Sequence, residues 1–314
     1  MNFIQLLADI ARVDPDVYDR LDSRRRVFRH LGGWGQRLSA AALPLALGAV
    51  FQKAYAQTPA GAGVNDVLNF ALKLEYLEAY FYAARSAAVS AGLSAVNVAA
   101  LDQMGADERN HVGFLRGVLG PAAIADPRPA QFDFTAGGRF ADWNTNAATY
   151  LALAQAFEDL GVRAYKGGAP LLMSNKTVLT AALNIHSVEA RHAARLRTMR
   201  RADPRSATPA QAVPVAPFSA APKSWVAGLD GGGPVPGFTE AVYGAGNNTN
   251  APAGVTFPAE DNLTQGGLNL VINTTVGGFP TLAFSEAFDE GLDVGTVAKV
   301  ARNFVVSGST LFNY

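Results

Sequence analysis

The 314-residue chain contains no cysteine. Disulfides, thiolate-bound zinc, iron–sulfur clusters and thiol catalysis are excluded, so a metal site must use histidine and carboxylate, the ligand set of iron, manganese or zinc. Histidine is scarce as well. His30, His111, His186 and His192 are the full set, and any imidazole chemistry comes from these four. There is no excess of either charge: 26 basic residues balance 26 acidic ones. No nucleic-acid partner is expected, because phosphate binding needs a basic surface. Polar filler is limited too. Hydrophobic residues make up 49% of the chain, enough to build a substantial core and to argue against global disorder.

Residues 23–29 read Ser-Arg-Arg-Arg-Val-Phe-Arg, followed by an apolar run from Leu38 to Phe51 and by Ala54-Tyr55-Ala56. A basic region, an apolar region and small residues at the two positions a signal peptidase reads resemble an export signal, and the paired arginines resemble its twin-arginine form. That reading makes residues 1–56 a signal and the protein periplasmic or extracellular. The other reading keeps residues 1–56 as helices of a cytoplasmic protein, since Asn2 to Arg12 has the pattern of an amphipathic helix. The run of roughly 14 apolar residues is short for a membrane span, which needs about 20, so no stable span is expected.

Four long helical patterns follow. Apolar spacing and punctuation predict helices over about 64–91 (N-cap Asn65 or Asp66), 94–119, 144–166 and 175–201. Between the second and third lies a Pro/Gly-rich link with Asp126-Pro127 and Ala136-Gly137-Gly138. One long link in the middle of four helices is what a four-helix bundle with a single crossover requires. After Arg201 the chain turns rich in Pro, Ala, Gly, Asn and Thr. Residues 202–314 are expected to be mostly irregular, with a strand or two within 269–284 and a final short helix over 294–306. The bundle helices carry few charges, which predicts that this tail packs over part of the bundle or that the bundle forms a homo-oligomer.

Glutamate, a common filler on helix surfaces, is rare here. The four helices hold only Glu75, Glu78, Glu108, Glu158 and Glu189. Two of the four histidines, His111 and His192, lie three residues after one of them. Random placement does that for about 3% of histidines, so the pairing carries information. Residues three apart share a helix face, and a carboxylate and an imidazole there can reach one metal centre. The motifs also repeat. Glu75 and Glu158 are each followed seven residues on by a tyrosine, Tyr82 and Tyr165, and then by a Glu-x-x-His on the next helix, Glu108/His111 and Glu189/His192. The repeat favours Glu75 as the first-helix ligand and leaves Glu78, one turn later, as a candidate extra ligand or bridging group. Tyr82 and Tyr165 are expected either to pack in the core or to hydrogen-bond a liganding carboxylate. His186 and Asp107 are expected off the site face. His30 is a bystander, and Asp289 or Glu290 is expected to cap the final helix.

Residues 64–201 resemble the ferritin-like superfamily. The wording Leu74-Glu75-Tyr76-Leu77-Glu78-Ala79-Tyr80-Phe81-Tyr82, together with Ala287-Phe288-Asp289-Glu290-Gly291-Leu292, resembles its bacterial and plant group that includes desiccation-related proteins. The resemblance implies a centre of two metal ions, iron or manganese, at Glu75, Glu108, His111, Glu158, Glu189 and His192. It does not imply one reaction; the chemistry of two redox metals bridged by carboxylates is what points to an oxidoreductase acting on a small oxidant, peroxide or oxygen. Metal storage and a non-catalytic stress-protective role are the alternatives, because a fold does not fix a reaction.

Overall fold

The computed structural model describes residues 63–202, 242, 262–265, 268–269, 284 and 290–313. The candidate export signal and most of the 202–289 tail lie outside these residues.

Four long helices form the frame. Helix α1 is Val64–Ala83 and α3 is Ala95–Leu119, with a five-residue helix α2, Ala87–Ala91, between them. Helix α4 is Ala147–Gly168 and α5 is Lys176–Ala202. The N-cap of α1 is Gly63, not Asn65 or Asp66. Asp66 sits three residues into the helix and reaches back to accept the Gly63 N–H at 2.8 Å, half of a capping box. The expected single helix over 64–91 breaks at Ala84–Ser86. The Ser86 hydroxyl takes the Val89 N–H to cap α2, while Asn144 accepts the Ser86 N–H and donates to the Ala84 carbonyl. A local cap of this kind outcompetes helix continuation. Ser94 and Asn146 cap α3 and α4 in the same way.

Cross-links give the directions. Tyr82 meets Met104 while Asn69 meets Ala122, so α1 and α3 are antiparallel. Arg200 meets Gln155 while Arg197 meets Asp159, so α4 and α5 are antiparallel. Helix α1 also runs against α4, which leaves α3 and α4 parallel. A parallel pair needs a connection as long as the bundle, and residues 120–146 supply it. Phe134 and Trp143 pin this crossover, with rings 5.1 Å apart, and Phe134 lies 5.3 Å from Phe81 of α1.

Helix α4 is buried on nearly every face. Helices α1 and α5 cover one side, and the C-terminal segment covers another. That segment carries α6, Val294–Ala301, followed by a 3-10 turn, Arg302–Phe304, so the expected helix over 294–306 is shorter than its apolar run. Asp293, and neither Asp289 nor Glu290, caps α6 by accepting the Thr296 N–H at 3.0 Å. Glu290 is buried and accepts from Asn262. The segment joins the crossover through Asp133 N–H to Phe304 O and Val306 N–H to Gln131 O, and Phe304 packs edge-on to Phe157 of α4 at 4.7 Å. Two short strands, β1 Thr264–Gln265 and β2 Leu268–Asn269, pair antiparallel; β2 ends on the first residue of the 269–284 stretch where a strand or two is expected, and residues 270–283 of that stretch lie outside the described residues. Among the described residues no helix is long and apolar enough to cross a membrane.

Candidate metal centre

The bundle interior is polar at one level. Glu75 and Glu78 from α1, Glu108 and His111 from α3, Glu158 from α4, and Glu189 and His192 from α5 are all buried, and Glu75, Glu108, Glu158 and Glu189 expose no surface. Helical spacing puts each Glu-x-x-His pair on one inward face, and the antiparallel arrangement brings both pairs to the same height.

Two overlapping clusters result. Glu75, Glu108, His111 and Glu189 form one, and Glu108, Glu158 and His192 form the other. Nδ1 of His111 lies 3.0 Å from Glu108 Oε2, 3.1 Å from Glu75 Oε2 and 3.5 Å from Glu189 Oε1. Nδ1 of His192 lies 2.9 Å from Glu108 Oε1 and 3.1 Å from Glu158 Oε2. Glu108 therefore serves both imidazoles, one oxygen each. A single Nδ1 has one hydrogen at most and cannot satisfy three carboxylate oxygens. Oε1 of Glu108 is close to His192 without the alignment of a hydrogen bond, and both Glu189 oxygens are buried with no hydrogen-bond partner. Orphaned buried carboxylate oxygens are costly unless something else compensates them.

The charges point the same way. Five buried carboxylates face two imidazoles. Even with both rings protonated, the fully ionised cluster keeps three uncompensated negative charges (5 − 2 = 3). Without a cation, protons must fill the gap. Burial, then the neighbouring Glu108, pushes Glu75 up to about 7 against the His111 contact. Burial and the surrounding carboxylates hold Glu78 and Glu189 well above the ordinary range. Burial also raises Glu158, with His192 opposing. At Glu108 burial acts upward but the two imidazoles win and hold it at about 2. His192 is pushed up to about 11, its own burial being outweighed by Glu158 and Glu108. Nitrogen and oxygen atoms about 3 Å apart, with more carboxylate oxygens converging than the two ring nitrogens can serve by hydrogen bonds, match the spacing of adjacent donors on a cation with bonds of about 2.1 Å. The donor set fits iron or manganese.

The tyrosines cross over. Tyr82 donates its hydroxyl to Oε1 of Glu158, and Tyr165 donates to Oε1 of Glu75, so each repeat's tyrosine serves the other repeat's glutamate. Both hydroxyls are buried, and burial and then the adjacent carboxylates keep them protonated. Glu78 is buried among the other four carboxylates but belongs to neither cluster. His186 also lies outside them. Asp107, expected off the site face, is brought in: its Oδ2 lies 3.2 Å from Nε2 of His192. That position steers the ring so that Nδ1 faces the carboxylates. Adjacency to Glu108 was the available signal. On the face shared by α3 and α5, one residue of offset still reaches the neighbouring helix's histidine.

Gly161 was also missed. A Cβ there would stand 2.7 Å from Oε2 of Glu189, so the absent side chain makes the room that Glu189 occupies.

Residues 63–202 match the family model of the ferritin-like domain. No curated protein and no solved structure matches the chain. The match spans all four long helices and every residue of the two clusters, and residues 63–202 are a ferritin-like domain.

Proposed function

We propose that this chain is a dinuclear iron or manganese carboxylate protein with oxidoreductase activity toward peroxide or oxygen. In this reading Glu75, His111 and Glu189 would hold one ion and Glu158 and His192 the other, with Glu108, a member of both clusters, within reach of each. The observation that carries it is the sharing of Glu108 between two imidazoles beside orphaned Glu189 oxygens. A pair of redox-active ions held there would supply one-electron chemistry toward a small oxidant. The chain's own residues do the rest. Tyr82 and Tyr165 fix the outer oxygens of Glu158 and Glu75, Asp107 orients His192, and the surrounding apolar core keeps bulk water out. Resemblance to the desiccation-related group supports a setting in stress protection. The 23–56 pattern supports export, which an N-terminal reporter fusion with Arg24 and Arg25 replaced by lysine would test.

The deciding experiment is elemental analysis of protein isolated from its native source, beside a Glu108→Ala/Glu189→Ala double variant. Two equivalents of iron or manganese per chain are expected in the native protein and none in the variant. Unchanged metal content in the variant sinks the assignment. Oxygen evolution from hydrogen peroxide then separates dismutation from reduction.

A further inference from the structure

The C-terminal segment packs on the α1–α4 side of the bundle. The α3–α5 side lies opposite. Among the described residues it carries all five of the large apolar side chains that stand exposed. Val96, Phe114 and Val118 belong to α3, Leu183 to α5, and Met173 to the turn between α4 and α5. Apolar groups gathered on one face mark an interaction surface, whereas single scattered ones do not.

The outward face of α3 has a pattern of its own. Ala95, Ala99, Ala106, Gly113 and Gly117 follow one another at steps of four, seven, seven and four residues, which aligns them in a narrow stripe opposite the buried face of Leu101, Glu108 and Leu115. A Cβ built at Gly113 or Gly117 would meet nothing within 4 Å, so no described part of the chain fills the space there. Small side chains let a second helix approach closely.

The stripe alone names no partner, but its flanks do. The steps read the same in both directions from Ala106. In an antiparallel pair of α3 helices with a twofold axis through Ala106, Ala99 faces the partner's Gly113 and Ala95 faces the partner's Gly117. That axis sets each flank against the same flank of the other copy, with heights reversed. On the flank toward α1, Asp102 lies four residues before the axis and Arg109 three after it, so Asp102 stands within about 1.5 Å of the level of the partner's Arg109. On the flank toward α5, Gln103 meets the level of the partner's Asn110, and Val96 that of the partner's Phe114. Acid meets base, amide meets amide and apolar meets apolar, each twice by symmetry. Asp102 pairs with Arg85, yet its side chain remains 64% exposed, so the carboxylate has room for a second arginine.

We propose that this chain forms a twofold dimer through the α3–α5 face, with Ala106 on the axis and Asp102 paired to the partner's Arg109. Helices of 25 and 27 residues side by side present a face about 37 Å long and about 20 Å wide, close to the roughly 800 Å² per partner that a stable interface needs. The proposal does not depend on what the metal cluster binds.

The absence of cysteine makes the geometry directly testable, since any introduced thiol is unique. Sedimentation of the full chain is expected to give a dimer. Helix axes about 8–10 Å apart bring the two on-axis Cα atoms within disulfide range, so Ala106→Cys is expected to form an interchain disulfide under mild oxidation. Gly113→Cys alone is expected not to, because its two copies stand about 20 Å apart along the axis, whereas Gly113→Cys mixed with Ala99→Cys is expected to cross-link. Asp102→Arg is expected to weaken dimerisation about tenfold or more, and Asp102→Arg/Arg109→Asp to restore it, with helical circular dichroism unchanged throughout. A dimer in which Ala106→Cys fails to cross-link, or in which the charge reversal is not rescued, overturns the proposal. So does a monomeric chain. If Gly113→Cys in that monomer is shielded from maleimide, another part of the same chain covers the face; if it reacts freely, nothing does.

Discussion

Tyr165 donates its hydroxyl hydrogen bond to Oε1 of Glu75, a residue of the opposite helix hairpin. Tyr82 does the same for Glu158 in the reverse direction. Each outer glutamate thus turns Oε1 to a tyrosine and Oε2 to an imidazole, His111 for Glu75 and His192 for Glu158. The two hairpins cannot separate without leaving both carboxylates half-paired, so the site and the hairpin interface share the same interactions.

Replacing either tyrosine with phenylalanine removes one buried donor and leaves a carboxylate oxygen unpaired. The expected cost to the metal-free protein is about 1–3 kcal/mol, read from denaturant unfolding. Metal affinity, measured by competition with a chelator, is expected to fall about tenfold, the low end for lost support of a ligand. A Tyr165→Phe protein with wild-type affinity and stability would mean the phenol only fills space.

Gly161→Ala tests the packing behind Glu189. The added methyl would crowd Oε2 of Glu189 at 2.7 Å, and the carboxylate must swing away. Overpacking costs about 1–3 kcal/mol. The diagnostic outcome is selective: the cluster containing Glu189 should lose its ion, so metal content drops toward one equivalent while circular dichroism stays helical. Full loading of the variant would show that Glu189 does not hold metal where it now stands.

Much of this arrangement was legible in the sequence because helical periodicity is local. Glu75, Glu108, His111, Glu158, Glu189 and His192 could be placed on inward faces by three- and seven-residue spacings alone, and the structure gathers all six. What could not be read depends on how helices sit against one another. The exchange of Tyr82 and Tyr165 between repeats, the room left by Gly161, and the reach of Asp107 to another helix's histidine are set by interhelical distance, which no spacing along one chain encodes. The break after Ala83 failed to show for a related reason, since Asn144, far along the chain, supports it.

Asp107 also makes the halves unequal. It precedes Glu108, whereas the residue before Glu189 is Val188, so His111 receives no carboxylate from the matching position. Asp107→Ala is expected to weaken one of the two metal equivalents about tenfold and spare the other, seen as a split in a calorimetric manganese titration. Equal weakening of both would show that the two positions bind as one unit.

The raised carboxylates give the metal-free protein a definite pH dependence. Burial lifts Glu75 from 4.5 to about 7, so between those values the folded form keeps a proton that the unfolded chain has released. The stability this contributes is fully present below 4.5 and is lost as pH rises through about 7. His192, lifted from 6.5 to about 11, acts in the same direction above its unfolded value. Glu108, held at about 2, is already ionised throughout this window and contributes no slope there. The Tm of metal-free protein is therefore expected to fall from about pH 5 to about pH 8. Manganese(II) must displace those protons to bind, so its affinity should rise over the same interval and the gap in Tm between loaded and metal-free protein should widen. Differential scanning calorimetry at several pH values, with and without manganese(II), measures both. A gap that stays constant would mean that no buried proton is exchanged for the cation, and that the carboxylates of this cluster are not its ligands.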